Sequence, residues 1–154
     1  MDADSSLDHV FFPTVAVAVY ADGIIIEMAT IGREGCTAVQ AVLGAESSSI
    51  RLLVQLPGGA AKMTRAALGQ GMGSMPSFRS LMFAYVQAFL EQVLVSVACN
   101  GEHSLKRRLA RWLLTMRDRG DDDTLEITQN LLAEMLGSTG QRSRMLLGSW
   151  NVPA

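Results

Sequence analysis

Cysteine is scarce in this chain: Cys36 and Cys99 are the only two, and they stand far apart in sequence. Two distant thiols exclude an iron–sulfur cluster, which needs about four thiolates near one another. The opening residues MDADSSLDH are acidic and lack the apolar stretch of a secretory signal, so reduced thiols and a cytoplasmic location are expected. Histidine is equally rare, with His9 and His103 alone. Cys99 and His103 are four apart and could share a helix face as two zinc ligands, yet His9 is the only other imidazole, and no metal site is expected. Asp121, Asp122 and Asp123 lack the alternating ligand spacing of a calcium loop and read as a solvated turn. No Ser-His-Asp or Cys-His arrangement has supporting spacing, and no glycine-rich phosphate loop leads from a strand into a helix. These absences leave catalysis without residues, so neither an enzyme nor a cofactor is expected.

Charge is thin as well. Charged residues make up 18% and hydrophobic residues 49% of 154 residues, the composition of a folded chain of one domain or one and a half. The net charge of −2 offers no bulk attraction to nucleic acid. Residues 1–99 hold five Lys/Arg against eight Asp/Glu, a net −3, and residues 100–154 hold eight against seven, a net +1. That contrast falls well short of a basic DNA-binding tail.

Periodicity is what the chain does have. Val15, Val17 and Val19 alternate with smaller residues, Asp22-Gly23 supplies a tight turn, and Ile24 to Thr30 reads as the return strand, so residues 9–31 form a β-hairpin. Gly32-Arg33-Glu34-Gly35 is a second turn, Ile50 to Gln55 another strand, Ala60 to Leu68 a short helix, and Gly69 to Pro76 a linker. Phe78 to Ala98 contains no Gly or Pro, with Ser77 as its cap. Phe78, Leu81, Tyr85, Ala88, Gln92 and Val95 recur on it at helical spacing, and Met82, Val86, Phe89, Val93 and Val97 form a second apolar line beside them. Two apolar lines need two surfaces: the chain's own sheet and, most simply, a second copy of the helix. Between Leu81 and Cys99 the only charge is Glu91, which brings a transmembrane span into consideration; the polar Gln87, Glu91 and Gln92 near its middle count against it. Leu105, Leu109, Trp112, Leu113 and Met116 then make one stripe of a basic amphipathic helix, stopped by Gly120, with Arg107, Arg108 and Arg111 expected on a solvated face. Thr128 stands as an N-cap ahead of Leu131, Leu132, Met135 and Leu136, and Gly137 closes that short helix, as a helix-turn-helix begins.

Here a resemblance becomes specific. The run from Tyr85 to Gly137, with ACNGEH, RLARWLL and ITQNLLAEMLG, is similar to bacterial transcription regulators of the Crp/Fnr family, and FFPTVAVAV, ATIGREG and LVQLPGGA look like later strands of that family's sensor roll. The resemblance implies an α+β fold: a partial antiparallel β-roll of cyclic-nucleotide-binding-like type over 1–74, a dimerisation helix over 75–100 and an incomplete winged helix-turn-helix over 101–154. It implies a homodimer joined through Phe78, Leu81, Tyr85, Phe89 and Val93. It also implies a cytoplasmic DNA-binding regulator with no membrane partner. Thr128 and Gln129 would sit near a phosphate, and Gln141, Arg142 and Arg144 would be the groups available to reach bases or backbone. The family's phosphate cassette pairs Gly-Glu-x-Gly with a later Arg-Ser or Arg-Thr. This chain has arginine in place of that glutamate, and Ser47-Ser48-Ser49 without an arginine, so no cyclic nucleotide is expected. The chain begins near the FFP segment, and after Gly137 its STGQRSRMLLGSWNVPA departs from the family's polar recognition helix, as if cut at both ends. The alternative expectation is a dimerising remnant that cannot grip DNA and acts as an interaction module or inhibitory partner; a third is an unstable fragment.

Overall fold

The computed structural model describes residues 5–6, 9–13, 15–20, 27–48, 50–56 and 58–120. In chain order they form β1 (Ser5–Ser6), β2 (His9–Pro13), β3 (Val15–Tyr20), β4 (Glu27–Gly32), α1 (Val39–Val42), β5 (Ser47–Ser48), β6 (Ile50–Val54), β7 (Ala60–Thr64), α2 (Arg65–Ser74), α3 (Pro76–Glu102) and α4 (Leu105–Arg119). The Asp22-Gly23 turn and everything after Gly120, including Thr128, Gln129, Gln141, Arg142 and Arg144, lie outside the described residues.

Strands and helices mix as the α+β reading requires, and every strand pairing is antiparallel. β3, with its Val/Ala alternation, is the centre of a three-stranded sheet ordered β4-β3-β6. Val15 stands opposite Gly32 on one side, and Ala16 opposite Val54 on the other. The β3–β4 pairing matches the expected hairpin. β2 does not belong to it: His9 to Pro13 pair instead with Thr64 to Ala60.

Three expectations are overturned here. Ala60 to Thr64 is a strand, because β2 supplies a complete ladder partner that a lone short helix would lack. The helix starts one residue after Thr64, whose Oγ1 accepts the Ala67 N–H at 3.1 Å as an N-cap. The Gly69–Pro76 linker is likewise helix up to Ser74 despite three glycines. Leu68 anchors it in the core at 1% exposure, and Gly71 lets α3 come close: a Cβ there would stand 3.2 Å from both Met75 Cε and Phe78 Cε1. The chain breaks at Met75 rather than over a linker, and Pro76 occupies the first turn of α3, where its missing N–H costs nothing. Met75, not Ser77, is therefore the N-cap.

α3 runs for 27 residues, about 40 Å, past Ala98 to Glu102. Its inner side presents Met82, Phe78, Tyr85 and Val86 to a core of Cys36, Ala38, Ala41, Val42 and Leu68. By length and composition it could also cross a bilayer; only 11% of its most apolar 18-residue window is buried. α4 buries the expected stripe through Leu109, Trp112 and Met116. Arg107 is exposed, but Arg108 and Arg111 are half-buried, and Arg111 Nη1 donates to the buried Ser96 Oγ of α3 at 3.3 Å, so the solvated arginine face is only partly solvated. Among the described residues no cluster of three or more His, Cys, Asp or Glu could hold a metal; Cys99 and His103 meet only through the His103 N–H and the Cys99 carbonyl, 3.0 Å apart.

Because Leu68 joins α2, α1 and α3, Leu68→Ala should lower the unfolding free energy by about 2–5 kcal/mol in a urea titration followed by circular dichroism.

Candidate functional site

Three features could carry function: a clasped turn, a hollow beside it, and the outer side of α3. The turn is Gly32-Arg33-Glu34-Gly35, closed by the Gly35 N–H on the Gly32 carbonyl at 3.1 Å. Two helices grip it. From α3, the Tyr85 hydroxyl donates to the Cys36 carbonyl at 2.9 Å. From the end of α4, Arg119 Nη2 lies 3.0 Å from Glu34 Oε1, and Nη1 donates to the Thr30 carbonyl. Glu34 also accepts the Gly32 N–H at 3.3 Å, so its carboxylate is folded back onto its own turn.

The turn's glycines are explained by this grip. A Cβ on Gly35 would stand 2.5 Å from Tyr85 Oη, and one on Gly32 would meet Glu34 Oε2 and, at 3.0 Å, Arg119 Cδ. Burial sets the electrostatics. It pushes the Cys36 thiol from its ordinary 9.0 to about 11. It also raises Tyr85, an effect increased by nearby Cys36 and Glu34 and opposed by the bond to the Cys36 carbonyl and by Arg119. Neither group is a nucleophile or acid at neutral pH. The arrangement is mechanical: it ties α4, which leads into the segment after Gly120, to the sheet body.

Beside the turn, Ile31, Ala38, Val39, Gln40, Ile50 and Phe89 line a hollow of about 30 Å³ together with Ser48 and Leu52. That is room for about one water, and no arginine or lysine lines it. The short helix α1 forms its floor, entered through Ala38 in a left-handed conformation at φ 57°.

The outer side of α3 is apolar and uncovered by the described residues. Leu81 is 66% exposed, Leu90 55%, Leu94 59% and Val97 61%. Of the side chains expected to join two copies, Leu81 alone lies on this side; Phe78, Tyr85, Phe89 and Val93 are half-buried on the side facing the chain's own body. Neither apolar line read from the spacing faces out as a whole: Leu81, Ala88 and Val95 of one and Val97 of the other are exposed, beside Phe83, Leu90 and Leu94 of neither, because the phase of a helix against its own sheet is a tertiary property. Arg119, Glu34 and the role of Tyr85 were missed altogether. The paired glycines of the turn were the one local signal of a close approach.

No protein-family model matches the chain, and no curated protein matches it in sequence. Among solved structures it is similar to the c-di-GMP responsive global regulator CLP of Xanthomonas campestris, which links cell–cell signaling to virulence gene expression. The TM-score is 0.74 at 10% identity, over 95% of this chain and 78% of that one. The likeness gives the fold: α+β, of the cyclic-nucleotide-binding-like type.

Gly35→Ala should displace the Tyr85 ring and lower stability by about 1–3 kcal/mol in a thermal melt. At pH 8 Cys36 in the native chain should resist iodoacetamide while half-exposed Cys99 reacts, as read by peptide mass spectrometry; raising a thiol from 9.0 to about 11 cuts its thiolate about a hundredfold. Since the folded chain holds this proton more tightly, stability is fully present below about 9 and falls as pH rises towards about 11.

Proposed function

We propose that this chain is a homodimeric, DNA-binding transcription regulator of the Crp/Fnr type that does not use a cyclic nucleotide. The observation that carries the reading is the outer face of α3, a long apolar helix set against a cyclic-nucleotide-binding-like body with one side left bare. A second copy is the simplest cover for it, and two-fold pairing would present two C-terminal segments together, as a palindromic DNA site requires. The interface so proposed runs through Leu81, Phe83, Leu90, Leu94 and Val97, while Phe78, Tyr85, Phe89 and Val93 hold the helix to its own chain.

Support for independence from cyclic nucleotide comes from the hollow. A nucleotide phosphate needs a cation or a cradle of N–H groups. The hollow offers neither arginine nor lysine, and Glu34 is engaged by Gly32 and Arg119 instead of facing it. The same lack of charge gives no support for carrying over c-di-GMP from CLP. Readout of DNA is assigned to Gln141, Arg142 and Arg144, with Thr128 and Gln129 at the phosphate, on the strength of the sequence motif. The chain acts in the cytoplasm on this reading. The clasp of Arg119 on the Gly32–Gly35 turn would fix the angle at which that segment leaves the body.

Light scattering of the intact chain should give twice 16.6 kDa, and Leu94→Asp, on an exposed position, should give a folded monomer. A mobility-shift assay on genomic fragments at about 50 mM salt should show a complex that Leu94→Asp weakens at least tenfold. A dimer that shifts no DNA would leave the interaction module as the function, and a monomer would remove both.

A further inference from the structure

The exposed side of α3 is ordered along the helix. Phe83, Leu90 and Val97 follow one another at steps of seven, and so do Leu81, Ala88 and Val95. Gln87 and Leu94, seven apart, lie between these two lines, and all eight residues are exposed. Phe83, Gln87, Leu90, Leu94 and Val97 thus recur at alternating steps of four and three, the spacing of the seam that a helix turns to a facing helix. Four of the five are large and apolar, each about half exposed or more; the fifth is an amide. A seam drawn one place round, through Ala84, Glu91 and Ala98, would bury the Glu91 carboxylate and leave Phe83, Leu90 and Val97 at its margin, which desolvation disfavours. Gln87 and Leu94 belong to both lines, so Gln87 lies in the contact whichever way a second helix leans.

A second copy is the occupant this face fits. Two helices meeting from Ser80 to Ala98, over about 27 Å, bury on the order of 600 Å² per partner, the lower end for a specific interface. A two-fold pair also accounts for the amide. In a parallel, in-register pair each seam residue meets its own counterpart. An amide carries two N–H hydrogens and a carbonyl. Gln87 gives one N–H to Glu91 Oε1, four residues on, at 3.4 Å. The other N–H and the carbonyl match those of a second Gln87, donor to acceptor in both directions. An antiparallel or shifted pair sets the amide against an apolar side chain and buries it unsatisfied. A bilayer offers it no partner either.

We propose that Gln87 determines the specificity of this interface: two Gln87 amides bond across the seam and fix the pair as a parallel, in-register dimer. This rests on the homodimer reading. The amide weakens association relative to an apolar residue and at the same time penalises every other arrangement.

Two measurements on the intact chain and on Gln87→Leu test this: sedimentation for affinity and stoichiometry, and double electron–electron resonance between spin labels on Ser77→Cys for orientation. Both forms carry Cys99→Ser, buried Cys36 stays unlabelled, and circular dichroism verifies folding. With Gln87 in place the labels should form a single population about 20 Å apart, as at the shared end of two parallel helices in contact. Gln87→Leu should associate about tenfold more tightly. It should also add a second population about 40 Å apart, the spacing of opposite helix ends in an antiparallel pair, or a higher oligomer. A Gln87→Leu pair that stays wholly parallel and dimeric, or a long distance with Gln87 present, would overturn the role of Gln87 and leave the dimer standing. Monomers in both forms would overturn the homodimer reading itself, as would uptake of the chain by phosphatidylcholine vesicles in place of self-association.

Discussion

A helix that carries large apolar residues on two sides must bury two surfaces. α3 meets this constraint on one side only within its own chain. Its inner side holds the core of α1, α2 and the Gly32–Gly35 turn; its outer side carries Leu81, Leu90, Leu94 and Val97 into solvent. Among the described residues the strands form three small antiparallel sheets, and α3 packs against β4, α1 and α2 and reaches α4 through the Arg111–Ser96 hydrogen bond. The fold and the proposed assembly thus depend on the same 27 residues.

The clasp at the turn is the second element of that logic. Tyr85 and Arg119 approach one turn from two helices, and Gly32 and Gly35 make room for them.

Elements set by local periodicity were legible in the sequence. The helical run of Phe78 to Ala98 within α3, the stripe of α4, the β3–β4 pairing and the GREG turn all follow from spacing and turn residues. Elements set by distant partners were not. Ala60 to Thr64 read as helix because its ladder partner lies at His9 to Pro13, and Arg65 to Ser74 read as linker because three glycines outweighed one buried leucine. The Arg119–Glu34 pair joins positions that no local pattern connects. Phe78, Leu81, Tyr85, Phe89 and Val93 were read together from helical spacing, and the structure separates them: Leu81 is exposed and the other four are half-buried, since the phase of a helix against its own sheet is not set locally.

Site-directed disulfide formation tests the central claim most directly. Leu90→Cys and Val97→Cys, each in a Cys99→Ser background, should both yield a covalent dimer under mild oxidation, because central positions of the outer face in a parallel pair bring like Cα atoms within bridging distance. Gln92→Cys, on the side facing the chain's own body, should not. Absence of a dimer from both outer-face variants, or an equal yield from Gln92→Cys, would contradict a pairing through the outer face of α3.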